Sequence, residues 1–300
     1  MKTHPKPFLA YILPFLAVIP LTLSFYMFLN ALQNIHTGST LNALSLQTWE
    51  RLNADLEFLS EQGDAVAQNP SLATHLLNEN YETLIATMLS EKETRHIGLI
   101  GLANADGYIV TRTKSIASLG EHAFVTAPQG RALAAGAPSV RSIEVNSFDE
   151  HQVLMTTGRF VYSDDTKIGA LFANYLLDTA YAQQLQHERL TSIAEHAEVG
   201  FYTDVYGIYS SSFTDTGTAE TIHAYFTPEH LPAANSVSFL TFDGHDYVVK
   251  NLSFKGLEGS HTGALIFLPI VSQSQLAIEA FIAALILALI SDFVLSRSKR

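Results

Sequence analysis

Residues 8–29 read FLAYILPFLAVIPLTLSFYMFL, a run with no charged side chain. As a helix it would be about 33 Å long, enough to cross the ~30 Å hydrocarbon core of a bilayer. In hydrocarbon every backbone N–H and C=O must be bonded within the segment, which leaves a helix as the conformation. Pro14 and Pro20 are tolerated in such spans more readily than in helices exposed to water. A cleaved signal peptide would have a shorter apolar region closed by a small-x-small site. Asn30-Ala31-Leu32-Gln33 offers none, so the run reads as an anchor. Residues 276–295, LAIEAFIAALILALISDFVL, form a second run that carries two acids, Glu279 and Asp292. With Glu279 near the outer interface, Asp292 falls within a turn of the inner one, close to Arg297. Each acid can then snorkel or pair. A buried amphipathic helix and an intramembrane ion relay are the rival readings of this run.

The charge is unevenly placed. Lys2, Lys6, Arg297, Lys299 and Arg300 sit in the two short tails. Setting aside these five of 17 basic residues, and Glu279 and Asp292 of 29 acidic ones, leaves 12 against 27, a middle of −15. Basic tails beside both spans place both termini in the cytoplasm and residues 31–274 outside, a two-pass arrangement in a bacterial-type inner membrane with a periplasmic middle. The formal charge of −12 argues against a nucleic-acid partner, which demands clustered Lys and Arg. The absence of cysteine excludes disulfides, thiolate metal sites and a cysteine nucleophile. The sequence stops five residues past the second run, so any signalling output is expected beyond residue 300 or on a partner.

Between the runs the pattern is first helical. Trp49, Leu52, Leu56, Leu59, Gly63 and Val66 recur in steps of three and four, the spacing of a heptad seam. Asn69-Pro70 ends it. Such a stripe packs either on its own domain or, as a stalk over residues 31–95, on its counterpart in a homodimer. A second helix is expected over 81–93. The period then changes to two. Strands are expected over 97–103 and 108–113, joined by Asn104-Ala105-Asp106-Gly107, then a helix over 124–135 and strands over 139–145, 152–161 and 168–176.

The later part of the chain repeats this order. GLANADG (101–107) precedes YIVT as GFYTDVYG (200–207) precedes IYSS. Phe148-Asp149-Glu150-His151 recurs as Phe242-Asp243-Gly244-His245. His151 stands 18 residues before Gly169-Ala170-Leu171, and His245 stands 18 before Gly263-Ala264-Leu265. Asp and Gly at these points suit tight turns, so the repeats are features of the fold rather than of a reaction.

NADGYIVTRT (104–113), GRALAAGAPSV (130–140), TKIGALFANYLLD (166–178) and HDYVVKNLSFKGLEGSHTGALI (245–266) together resemble the double Cache sensor family, over about residues 31–274. The second unit departs from the family's Asp-x-x-Gly form, having Asp204-Val205-Tyr206-Gly207. The aromatic-plus-arginine signature of amine-sensing members is not visible. The resemblance implies an α+β fold, with a long N-terminal helix followed by two PAS-like antiparallel-sheet units. The membrane-distal unit would cover 96–185 and the proximal one 186–273, between transmembrane helices at 8–29 and 275–295. It also implies a small ligand held between sheet and crossover segment, most often in the distal unit.

Candidate polar groups there are Arg112, His122, Arg141, Thr157, Arg159 and Asn174. An arginine fork suits a carboxylate; the alternative is that these arginines sit on solvent faces and pair with Glu144 or Asp149. The twelve histidines show neither HxxxH nor HExxH spacing, so no metal is expected. Asp164-Asp165 reads as a turn, since no alternating oxygen-ligand loop follows. There is no GxSxG elbow, P-loop or Gly-rich dinucleotide fingerprint, so neither a cofactor nor an enzymatic role is expected. The sequence reads as the input half of a membrane receptor, serving a histidine kinase, a diguanylate cyclase or phosphodiesterase, or a chemoreceptor. The alternatives are an interaction or scaffold protein and a membrane-tethered enzyme.

Overall fold

The computed structural model describes residues 8–113, 119–146, 149–242, 244–257, 259 and 261–297. Lys2, Lys6, Phe148, Asp243, Lys299 and Arg300 lie outside the described residues, as do the side chains of Pro14, Asp149, Glu150, His151, Asp292 and Arg297.

Helix α1 (Phe8–Ala67) runs unbroken for 60 residues. At Pro20, whose ring prevents a normal backbone bond, the Ser24 hydroxyl donates to the Pro20 carbonyl over 2.8 Å. The helix ends as the sequence requires: Asn69 caps α2 (Pro70–Leu77), its side chain accepting from the Ser71 N–H, with Pro70 in the first turn. That short helix was not anticipated. Pro70 starts it as well as stopping α1, because its fixed φ suits a first helical turn. Helix α3 (Tyr81–Thr94) follows, capped by Asn80.

The heptad stripe is consumed within the chain. Leu52, Leu59 and Val66 are buried, whereas Trp49 is half exposed and stacks on Phe254 at 5.5 Å. A Cβ added at Gly63 would stand 2.9 Å from Thr157 Cγ2 and 3.6 Å from Ala173 Cβ. Glycine is therefore what lets the helix backbone close onto the first sheet.

That sheet comprises β1 (Leu99–Asn104), β2 (Ile109–Arg112), β3 (Ser139–Asn146), β4 (Asp149–Ser163) and β5 (Thr166–Leu176) in the order β2-β1-β5-β4-β3. Its neighbours pair antiparallel. Asp164, at φ +51°, and Asp165 make the β4–β5 turn. The crossover, expected as one helix, is two: α4 (Ala123–Thr126) and α5 (Pro128–Ala134). Ala127 between them is extended (φ −96°, ψ 130°) because the ring of Pro128 disfavours helical geometry in the residue before it.

Helix α6 (Thr179–Leu185), capped by Asp178, leads to β6 (Glu198–Thr203), β7 (Gly207–Ser211), α7 (Thr216–Tyr225), β8 (Val237–Phe242), β9 (His245–Lys255) and β10 (His261–Ile270). The second sheet has the order β7-β6-β10-β9-β8, the same topology one repeat later. Helix α8 (Gln273–Arg297) closes the described chain.

By contact density the chain forms two compact units, one of residues 43–238 and 249–267, the other of the described parts of 1–42, 239–248 and 268–300. In the second of these, Val18, Leu276, Ala280 and Ala284 are buried between α1 and α8. Among the described residues two helices are long and apolar enough to cross a membrane: α1, by a window within residues 18–67, and α8, over residues 273–291 at mean hydropathy 2.0.

Candidate functional site

Side chains alternate across a strand, so register decides which residues share a face. Asn174 pairs with Leu99, and Phe172 with Gly101, which in turn opposes Arg112. On β4, Leu154 and Thr156 belong to the same face: the Thr156 hydroxyl donates to the Asn174 carboxamide oxygen over 2.5 Å. Helices α4 and α5 cover this face with Ala123, Ala127 and Gln129. The result is a cavity of 50 Å³ between sheet and crossover. It continues into a wider recess of 370 Å³ lined by Gln152, Tyr175 and Asp178, with Leu99, Asn146, Leu154 and Asn174 common to both.

The polar groups in this cleft are few and held in place. Burial lowers the Arg112 guanidinium below its ordinary value, while the charge of Glu121 opposes the shift; an arginine remains a cation under such a shift. Gln129 is buried on α5, and Asn146 donates from its amide to Gln152 over 3.0 Å. Ser142, in register with Thr156, has a buried hydroxyl without a hydrogen-bond partner among the described residues. One cation and several amides lining an otherwise apolar cavity are suited to a small anionic or polar molecule.

Two of the six expected residues, Arg112 and Asn174, meet in the cleft. His122 lies beside it, in an aromatic row: its ring is 4.6 Å from Tyr108 and 6.2 Å from Phe124, and Phe160 continues the row under the Lys167 ammonium at 4.0 Å. The other three must be reassigned. Arg141, Thr157 and Arg159 face α1, because β3 and β4 pair Arg141 with Thr157 and alternate away from Thr156. The Thr157 hydroxyl donates to the Val140 carbonyl. Arg159 pairs with Asp64 and donates to Ser60, and Arg141 lies 3.8 Å from Glu57. The carboxylates beside Arg159 and Arg141, Asp64 and Glu57, come from α1; the side chain of Asp149 lies outside the described residues.

Gln129, Ser142, Asn146 and Thr156 were missed. The signal for Ser142 and Thr156 was present as parity with Asn174, but it becomes readable only once the register is known. Gln129 gave a weaker sign, a polar residue in the first turn of a short helix.

At the equivalent place the second sheet carries a buried ring. Glu198 pairs with Phe267 and Gly200 with Ser211, so Phe267 stands where Asn174 stands in the first sheet, and Ser211 where Arg112 stands. Phe267 is fully buried, edge-on to Phe213 at 5.2 Å and Phe226 at 5.6 Å. The same register corrects one detail of the repeat: Gly169 pairs with Asn104 but Gly263 with Tyr202, whose counterpart is Ala103. The two Gly-Ala-Leu triplets are offset by one residue, so matched spacing did not mean matched position.

Among the described residues, hydrogen bonds join the two sheets' surroundings, one of them from the Tyr209 hydroxyl to the Val153 carbonyl over 3.3 Å. The Leu177 carbonyl, at the end of β5, accepts from the Tyr209 hydroxyl and from Ser210 Oγ, the latter over 2.8 Å. The Leu257 N–H donates to the buried Glu144 carboxylate over 2.5 Å.

No protein-family model matches the sequence, and no curated protein does. The extracellular domain of vpHK1S-Z8, assigned as a histidine kinase, superposes with a TM-score of 0.51 at 14% identity, over 83% of this chain and 98% of that one. The sensor domain of the Vibrio cholerae histidine kinase DctB gives 0.49 at 12% identity, over 81% and 99%. The ligand-binding domain of the Pseudomonas aeruginosa PAO1 amino acid chemoreceptor PctC, in complex with GABA, gives 0.42 at 20% identity, over 80% and 99%. The likeness to the vpHK1S-Z8 extracellular domain is one of fold.

Proposed function

We propose that this chain is the extracytoplasmic, ligand-sensing input module of a two-pass membrane receptor. The observation that carries the reading is the contrast between the two sheets: an open cleft holding Arg112, Asn174 and Gln129 in the first, and a core closed by Phe267 and Phe226 at the same place in the second. In this reading the distal unit, residues 96–185, binds a small polar or anionic molecule, and the proximal unit, 186–273, relays its state. Helices over 8–29 and 275–295 cross the inner membrane with both termini in the cytoplasm.

The relay has a physical route. Asn174 lies three residues before Leu177, whose carbonyl holds Tyr209 and Ser210 of β7. β7 neighbours β6, β6 neighbours β10, and β10 enters α8 after residues 271–272. A ligand that binds one arrangement of β5 better than another shifts α8 by that difference in affinity. The output is a kinase, cyclase, phosphodiesterase or chemoreceptor domain, in a homodimer along α1. The buried Leu52, Leu59 and Val66 leave such a dimer to other faces of that helix.

The test is a thermal-shift screen of the full chain in lipid nanodiscs against small organic acids, amides, amines and sugars. A true ligand stabilises by mass action, about 2.7 kcal/mol at a hundredfold excess over Kd. A melting temperature unmoved by every small molecule but raised by a partner protein would overturn the reading.

A further inference from the structure

Helix α1 carries two stripes at heptad spacing, and only one of them is used within the chain. The inner stripe begins at Tyr26, Asn30 and Gln33. Tyr26 donates to Gln273 over 2.5 Å, Gln273 donates to Asn30 over 3.4 Å, and Gln33 donates to the Val271 carbonyl over 3.0 Å. Steps of three and four residues keep to one helix face. They continue this stripe through Thr37, Leu41, Leu44, Thr48 and Leu52, all buried.

The outer stripe lies half a turn away. It comprises Phe28, Leu32, Ile35, Leu46 and Trp49, with Ser39 and Asn42 at the two steps between. Its apolar members are open: Ile35 is 71% exposed, Leu46 55%, and Trp49 46% even though its ring stacks on Phe254. Single exposed apolar side chains are ordinary on a protein surface, but a continuous stripe is not.

Lipid does not reach the length of it. Leu46 stands 17 residues past Leu29, the end of the apolar run, about 26 Å along the helix. The polar layer of a leaflet is only about 5–8 Å deep. Residues 30–49 contain no Asp, Glu, Lys or Arg, so this face meets a copy of itself with no like charges opposed. Gly38 flanks the outer stripe. A Cβ there would meet nothing within 4 Å, so packing within the described chain does not call for glycine, which weakens a helix interior.

Resting on the two-pass reading with a homodimer along α1, we infer that the outer stripe is the dimer seam and that its partner is the same stripe of a second copy. Both copies are anchored by the same span, so the helices run parallel at one height and each residue of the stripe meets its own counterpart. Ile35, Leu46 and Trp49 form apolar layers. The Asn42 carboxamides bond each other across the seam and fix its register, and Gly38 lets the two backbones close.

The chain contains no cysteine, so single cysteines report contacts without interference. Ile35→Cys and Leu46→Cys lie on the seam, whereas Asn34→Cys and Ala54→Cys are at exposed positions off it. The full chain carrying each is expressed in a bacterial inner membrane and mildly oxidised. A disulfide needs Cα atoms within about 7 Å. The seam variants should give at least tenfold more disulfide-linked dimer than the other two. Adding Leu46→Glu to Ile35→Cys should cut its cross-linking at least tenfold, because two carboxylates then stand face to face. Equal cross-linking at all four positions, or a yield from Ile35→Cys untouched by Leu46→Glu, would contradict the inference. Labelling of Ala54→Cys by a membrane-impermeant maleimide added outside intact cells is read in parallel. Labelling from outside with no seam cross-link sinks the seam and leaves the two-pass reading standing. Labelling only after the membrane is opened sinks that reading, and the inference with it.

Discussion

Asn174 and Phe267 occupy the same register position in two sheets of the same strand order, each opposite the first residue of its sheet's first strand. One is an amide fixed by Thr156 in an open cleft; the other is a fully buried ring wedged between two more. A single position thus separates a unit able to take a ligand from one whose core is already filled. The proposed division of labour between sensing and relay rests on this contrast.

Of the arginines on the first sheet, Arg112 lines the cleft and Arg159 pairs with Asp64 on the face toward α1. Arg112→Gln should weaken ligand binding tenfold or more, the loss of about 1.4 kcal/mol or above that a charge-assisted bond represents. Arg159→Gln should leave affinity unchanged and lower the melting temperature instead. Titration calorimetry and thermal denaturation of the two variants separate these outcomes.

Tyr209 and Ser210 donate to one carbonyl, that of Leu177. Tyr209→Phe and Ser210→Ala should each cost about 1 kcal/mol of stability. Because the acceptor is shared, each single variant leaves the carbonyl the other donor, and the double variant, which removes both, should lose more than the sum. A double-mutant cycle by denaturant unfolding reads the coupling, and a response to ligand that persists undiminished in the double variant would argue against this route of relay.

Two half-buried groups, Glu198 on β6 and His223 on α7, give opposite pH dependence. Burial raises Glu198 above the ordinary carboxylate value, against the hydroxyl donated by Ser212 and the charge of His196. A raised folded-state value means that its contribution is fully present below the unfolded value and is lost as pH rises through the folded one. Burial lowers His223, so its contribution is present above the unfolded value and is lost as pH falls through the folded one. Relative to the parent, Glu198→Gln should gain melting temperature as pH rises from about 4.5, and His223→Gln should gain it as pH falls below about 6.5. Melting curves across pH 4–8 check both signs.

Gly207 and Gly136 both have positive φ, +81° and +103°, but a Cβ at Gly207 would stand 1.9 Å from the Phe226 carbonyl oxygen whereas one at Gly136 meets nothing within 4 Å. Gly136→Ala should cost about 1–2 kcal/mol from the left-handed backbone alone. Gly207→Ala should cost clearly more, since backbone must move. Thermal denaturation of the pair measures the difference.

Much of the fold was legible because its signals are local. An uncharged run, a switch from helical to alternating period, and Asp-Gly turns between strands each act over a few residues, and the strands fell within a few residues of their expected bounds. The cleft was legible only in part because membership depends on register, which pairing between distant strands decides. Thr156 and Thr157 are neighbours of the same type, yet one bonds Asn174 and the other touches Gly63 on α1. Arg159 looked like Arg112 for the same reason. The Gly-Ala-Leu triplets show the limit from the other side, since equal spacing concealed a slip of one residue.

The central claim is that the cleft at Asn174 is the sensing site and that its counterpart is closed by Phe267. Asn174→Phe places the second sheet's ring in the first sheet's cleft. Equilibrium titration of the full chain in nanodiscs, wild type against Asn174→Phe, with any small molecule that raises the wild-type melting temperature, tests this most directly. The account predicts saturable binding of one molecule per chain in the wild type and none in a folded Asn174→Phe variant. Equal binding by both would contradict it.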